Sequence, residues 1–201
     1  FFIVNPLHNS ADIISADELC DVIEKNNRHF ILDVRSDSAF RHISLNAKEN
    51  AYGYFAGTVN IPLQELEKRM AEIPRGQDII ITDIDGDEAA MAAAMLKKSG
   101  FKKVAMLIEG IDRLLFTNPQ SPGCKESLYK SPVNYKMLTA AEFGNYAQNN
   151  SDYMLLDIRT RDEFANKYKD NWRNAGHIKN AINIPADDLK ISIAGLGTDK
   201  A

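Results

Sequence analysis

The sequence predicts an α/β protein in which one structural unit is written twice. Three observations carry that prediction. Short apolar runs, Phe30-Ile31-Leu32, Ile79-Ile80-Ile81 and Met154-Leu155-Leu156, have the length and aliphatic content of strands buried on both faces. The second run stops at a six-residue loop, Asp83-Ile84-Asp85-Gly86-Asp87-Glu88, and an alanine-rich helix follows at once. Strand, tight loop and helix in that order is how α/β proteins place chemistry at the carboxyl end of a parallel strand. Finally, the segments recur: HFILDVRSDSAF at 29–40 answers YMLLDIRTRDEF at 153–164, with Asp33 and Asp157 lying 124 positions apart.

Further blocks recur in the same order. GYFAGTVNIPLQEL at 53–66 answers GHIKNAINIPADDL at 176–189, and Ser15-Ala16-Asp17-Glu18-Leu19 answers Thr139-Ala140-Ala141-Glu142-Phe143. Matched blocks at almost one offset indicate duplication. Along the chain, Ser15 with Glu18 and Thr139 with Glu142 form capping boxes, hydroxyl and carboxylate closing the orphan amides of a helix start. Leu19, Val22 and Ile23, then Phe143, Tyr146 and Ala147, give those helices an apolar stripe. Ser36 and Thr160 start short helices, Thr160 in a further box with Glu163. A helix striped by Leu66, Met70 and Ile73 follows Pro62. Strand 78–82, the acidic loop and helix 89–99 come next, the helix closed by Gly100 in a left-handed cap. Strand 103–108 and a short helix near 111–116 complete a first domain at 10–116. Residues 117–136, with three prolines and a glycine, read as a linker. The second copy, 137–201, contains no counterpart of 78–108. A half-sheet would leave apolar faces in water, which predicts a longer natural polypeptide or self-association through the incomplete second domain.

With 201 residues, 44% of them apolar and 26% charged, the chain reads as a soluble globular protein of one large or two small domains. A net charge of −4 without a basic stripe argues against nucleic acid as a partner. No run approaches the roughly 20 apolar residues of a membrane span, so no membrane partner is expected. The opening Phe1-Phe2-Ile3-Val4, without methionine, suggests upstream trimming. The compartment, cytoplasmic or periplasmic, stays open. Of two cysteines, Cys20 falls on a predicted helix and reads as a small semi-buried residue. Cys124, in Pro-Gly-Cys-Lys beside Lys125, reads as exposed and oxidisable, with no histidine or acid arranged around it for catalysis.

The L-D-[VI]-R strand end, the G-x-[IF]-x-[GN]-[AT]-[VI]-N-I-P block, and the apolar strand with its six-residue loop and helix together resemble the rhodanese family. The resemblance implies a three-layer fold, a parallel sheet with helices on both faces, duplicated in tandem. Tandem members are thiosulfate or mercaptopyruvate sulfurtransferases, bacterial in style here, in which a loop cysteine carries sulfane sulfur as a persulfide. Their active loop runs roughly C-x-x-G-x-R. With Gly86 as register mark, Asp83 holds the cysteine position and Glu88 the arginine position. A carboxylate has no comparable sulfur-transfer chemistry. Four carboxylates also reverse a loop that would aim amides and a helix N-terminus at an anion, since like charges ~4 Å apart cost ~4 kcal/mol at an effective dielectric near 20. The resemblance therefore implies a silent first domain with no catalytic residue and no cofactor. The working cysteine, and the sulfur donor and acceptor it serves, would belong to the full-length protein beyond residue 201. Asp157, Arg159 and His177 match positions that mainly hold loops and helix starts. Both copies also carry enlarged loops, 41–52 and 165–175, which are candidates for recognition or interdomain contact, though surface insertions are also cheap to tolerate.

Other readings of the acidic loop remain. Asp83-Ile84-Asp85-Gly86-Asp87 also resembles the first motif of haloacid-dehalogenase phosphatases, with Asp83 as nucleophile, Asp85 as general acid/base and magnesium neutralising both. That motif belongs on the first strand of its domain, whereas two strands precede it here. Asp83, Asp85 and Asp87 alternate as oxygen ligands do, making a bare Mg²⁺ or Ca²⁺ site the next alternative. A non-enzymatic binding module is the rival class. In the plainest reading, Asp87 and Glu88 sit in a helix first turn, where the macrodipole favours acids.

Overall fold

A computed structural model of the chain describes residues 11–25, 28–117, 128–135, 138–192 and 195. Chain contacts divide it into two units, Phe1–Gly144 and Asn145–Ala201. In the first, the apolar runs become a five-stranded, wholly parallel sheet. Its strands are β1 (Asp12–Ile14), β2 (His29–Asp33), β4 (Val59–Asn60), β5 (Asp78–Thr82) and β6 (Val104–Leu107), in the order β1-β6-β5-β2-β4. β2 and β5 run side by side from His29↔Asp78 to Asp33↔Thr82. Successive side chains leave a strand on opposite faces, so each triple-aliphatic run serves two cores. Leu32, Ile79 and Ile81 pack on one side, Ile31 and Ile80 on the other.

The first core is closed by α4 (Asp87–Lys98), which lays Ala89, Ala92, Ala93 and Leu96 on the sheet. Small residues on that face let the helix backbone approach closely. The second core takes Leu19 of α1 (Leu19–Lys25) and Ile111 of α5 (Gly110–Asp112), with Tyr52 and Leu114. The expected capping boxes form: the Ser15 N–H donates to Glu18 Oε2 at 3.0 Å and the Glu18 N–H to Ser15 Oγ at 3.3 Å. Ser36 caps the short α2 (Asp37–Phe40) through the Ala39 N–H at 3.2 Å.

Three expectations are corrected. The segment after Pro62 is not one helix: 3-10 turns Leu63–Glu65 and Met70–Glu72 flank α3 (Leu66–Arg69). It ends at Ile73, which is extended because Pro74 follows. Past α5 the chain winds as a π-helical turn, Arg113–Thr117. The stretch read as a linker also contributes structure: β7 (Tyr129–Lys130) pairs antiparallel with β3 (Tyr54–Phe55), and Leu128 and Tyr129 pack against the second core. Residues 118–127, with Cys124, lie outside the described residues.

Helix α6 (Ala140–Asn149) has its Thr139–Glu142 box formed. Its predicted stripe is only half realised, with Tyr146 exposed. In the second unit β8 (Leu156–Asp157) pairs parallel with β9 (Ile182–Asn183), flanked by α7 (Arg161–Phe164) and α8 (Leu189–Ser192). The register Leu156↔Ile182, Asp157↔Asn183 reproduces Leu32↔Val59, Asp33↔Asn60. The α7 box is complete, Thr160 and Glu163 bonding reciprocally.

Candidate functional site

The acidic loop leaves the carboxyl end of β5 and enters α4. Asp83 turns inward and is 1% exposed. Its Oδ1 accepts the Gly86 N–H at 2.7 Å and its Oδ2 the Ala89 N–H at 3.1 Å. A helix start normally points such amides at an outside anion. Here a side chain of the loop itself takes them, while the N-cap residue, Gly86, has no side chain to offer. Asp85 accepts the Asp87 N–H at 3.3 Å.

Backbone contacts clamp the loop from beneath. The Ile111 N–H donates to Asp83 O at 3.0 Å and the Asp112 N–H to Ile84 O at 2.8 Å. Gly86 sits at φ 100°, and Gly110 at φ 57° where a Cβ would stand 2.3 Å from Ile84 O. Neither position takes a side chain without displacing backbone.

Outside the clamp lies a pocket of about 320 Å³, lined chiefly by Arg35, Glu49, Asp83, Asp85, Asp87 and Glu88. Burial pushes the Asp83 carboxyl above its ordinary value and Asp85 adds to the shift, against the pull of the loop amides. Glu88 is also raised, first by burial and then by Asp83, Asp85, Asp33 and Glu49. The site is a concentration of mutually repelling acids.

The strand end beneath it is a fork. Arg35, 1% exposed, reaches Asp33 Oδ2 at 2.6 Å and Gly53 O at 2.9 Å. Asn60 Nδ2 bonds Asp33 O at 3.0 Å and Arg35 O at 2.9 Å. The second unit repeats it: Arg159 reaches Asp157 Oδ2 at 2.5 Å and Gly176 O at 2.7 Å, and Asn183 bonds Asp157 O and Arg159 O. Arg159 holds the Asp157 carboxyl below its usual value. His177 Nδ1 hydrogen-bonds Phe164 O at 3.0 Å, its ring stacked on Phe164. Asp157, Arg159 and His177 thus tie a strand end, a loop and a helix end together.

Sequence reading missed a second repeated device. Asn50 Oδ1 accepts the Ser44 N–H at 2.8 Å and its Nδ2 donates to Ser44 O at 2.9 Å; Asn174 does the same to Tyr168 at 2.9 and 3.0 Å. Each enlarged loop is closed by the same asparagine clasp, and the 124-residue offset of Asn50 and Asn174 was the available signal. The first loop is also latched to the segment after β6, where the Tyr52 hydroxyl donates to Asp112 Oδ1. Burial, with Asp112 next, pushes the Tyr52 hydroxyl up to about 12.

Asp83 is buried, each of its carboxylate oxygens accepting a loop amide. Among the described residues, no group of three His, Cys, Asp or Glu side chains is placed to hold a metal. No helix among the described residues is long and apolar enough to cross a membrane.

A family model described as "Rhodanese-like domain" matches residues 15–115 and again 139–200. The chain is 32% identical over 98 residues to a putative sulfur carrier protein, YrkF, of Bacillus subtilis (strain 168), covering 48% of this chain and 53% of that one. The chain thus spans about half the length of the curated relative it matches. Among solved structures, reduced CoADR-RHD of Bacillus anthracis is 29% identical, with TM-score 0.42 over 51% of this chain and 16% of that one. A rhodanese-related protein from Thermoplasma volcanium is 24% identical, with TM-score 0.39 over 50% of this chain and 86% of that one. Both copies of the repeat are covered by one family model, over most of the sequence and in the same order, and the chain belongs to the rhodanese-like domain family.

Proposed function

We propose that the first copy is a catalytically silent rhodanese domain. In this reading it works as the non-reacting partner of a sulfurtransferase whose sulfur-carrying cysteine lies outside residues 1–201. The observation that carries it is Asp83: the loop amides that would hold an anionic sulfur species are occupied by a carboxylate of the loop itself. A carboxylate cannot form a persulfide, and the surrounding acids repel thiosulfate. Relatedness to a putative sulfur carrier protein supports sulfur transfer as the setting.

The test is direct. Residues 1–201 incubated with thiosulfate and cyanide should release no thiocyanate above the protein-free rate, and intact-mass spectra should show no one-sulfur increment. Thiocyanate production abolished by Cys124→Ser would overturn the proposal. A second reading, a non-enzymatic binding module, draws on the acid-lined pocket, whose field fits a cationic group. The two separate on the natural coding sequence at the second-copy counterpart of the acidic loop: a C-x-x-G-x-R loop there favours the enzyme, another acidic loop the module.

A further inference from the structure

The Gly53 peptide is held from two sides in the first unit. Its carbonyl accepts Arg35 Nη2 of the fork at 2.9 Å, and its N–H donates to the Tyr129 hydroxyl of β7. β7 crosses Gly53 so closely that a Cβ there would stand 1.9 Å from Lys130 O. This short strand acts as a strap. It belongs to the stretch joining the two copies, and through one peptide it bears on Arg35, which lines the acidic pocket.

The second unit holds the matching peptide differently. The Gly176 N–H donates to Asn166 Oδ1 at 2.9 Å, while Gly176 O accepts Arg159 Nη2. Both partners of the Gly176–Asn166 bond lie in that unit's own loop, and no later strand enters it. Asn166 stands two residues past α7 in left-handed backbone, φ 56°. Its first-unit counterpart is His42, 124 positions earlier and two residues past α2, at φ 63°. The His42 ring stacks on Tyr54, the residue after Gly53, with centroids 6.1 Å apart. Its Nδ1 is buried and has no hydrogen-bond partner. A buried polar atom left idle is costly, and such atoms are few in native structures. Burial, with Arg35 next, lowers the His42 pKa against the pull of Asp33. Tyr54 is the titratable group stacked on the ring, and the neighbouring Arg41 is paired with Asp37. At neutral pH the ring is uncharged and has one nitrogen able to accept.

We infer that His42 is an alternate latch for the strap: when β7 lifts from β3, the Gly53 N–H passes from the Tyr129 hydroxyl to His42 Nδ1. The two groups are rival acceptors for one donor. Release frees Leu128 and Tyr129 from the second core, while the Gly53 N–H keeps a partner and its carbonyl stays on Arg35. A two-residue pairing is short enough to open locally while the sheet stays closed. The latch acts whatever chemistry the acidic loop performs.

Nuclear magnetic resonance of the full 201-residue chain tests this on two amides. The Ala56 N–H donates to Leu128 O at 2.7 Å, so its exchange with solvent reports release of the strap. His42→Phe keeps an aromatic ring on Tyr54 and removes the latch. It should slow Ala56 exchange about fivefold, the worth of one ordinary hydrogen bond lost from the released state. His42→Asn supplies the acceptor used in the second unit and should keep exchange at least as fast as in the unsubstituted chain. Amides of 30–32 should be unchanged in both variants. Tyr129→Phe removes the rival acceptor. The Gly53 amide proton should then lie downfield while His42 is neutral and move upfield as pH falls through the histidine range, about 8 to 5. That movement should vanish when His42→Phe is added. Ala56 exchange unmoved by His42→Phe, or changed only in step with 30–32, would overturn the inference. So would a Gly53 resonance in Tyr129→Phe that does not follow pH.

Discussion

Asp83 closes its own loop, and the cost of removing it follows from its partners. Asp83→Ala leaves the Gly86 and Ala89 amides without their acceptor in a buried turn. The expected loss is about 1–3 kcal/mol, read as a lower urea midpoint with unchanged slope. Glu88 works in the opposite sense. Its carboxyl is raised in the folded state, so folding favours its protonated form. That contribution is fully present below the ordinary value of 4.5 and is lost as pH rises through the raised value. Glu88→Gln should therefore stabilise the protein at pH 7 by a few tenths of a kcal/mol, the group being only half-buried and screened. The gain should shrink toward pH 4 in thermal melts; a gain that grew on acidification would contradict the assignment. That an acid opens this loop was legible in the sequence, because residue type alone names it. Its burial was not, since four acids in six residues look like a solvated loop. Only the three-dimensional position of the amides of Gly86 and Ala89 shows which acid turns inward.

At the scale of elements, the loop is positioned less by its own sequence than by the segment after β6. Glu109 and Gly110 both adopt left-handed backbone, and the chain then passes directly beneath Ile84. Gly110→Ala combines a strained φ with a Cβ 2.3 Å from a backbone oxygen. It should cost at least about 2 kcal/mol and loosen the acidic loop, seen as faster amide exchange over 83–89. Gly57→Ala, also at positive φ but with open space around it, should cost about 1 kcal/mol and leave that loop unaffected. Regular elements were the legible part: the triple-aliphatic strands, the alanine face of α4 and the capping boxes each follow from local rules. The segment after Pro62 was misread because its apolar spacing fits a helix while Pro74 and the 3-10 turns cut it short. β7 was missed because a two-residue strand rich in neither Val nor Ile carries no periodicity, and its pairing with Tyr54–Phe55 is entirely non-local.

Across the whole molecule, duplication gives matched positions that share local geometry and differ in cover, which isolates what burial contributes. Leu32 and Leu156 occupy the same place in the same strand, each one residue before the aspartate of its fork, and each faces the same parallel neighbour in the same register. Leu32 is fully buried under α4, whereas Leu156 is half-buried. Leu32→Ala should lose the transfer free energy of its side chain and leave a cavity, about 2–5 kcal/mol. Leu156→Ala forfeits only part of the transfer term and opens no closed cavity, so about 1 kcal/mol is expected. The two units should also open separately. Amides of 154–158 and 182–184, held by one two-residue pairing, should exchange at a lower opening free energy than those of 30–34 and 79–82 in the five-stranded sheet. Equal protection in the two sets would mean that the second unit draws stability from contacts that its own strands and helices do not supply.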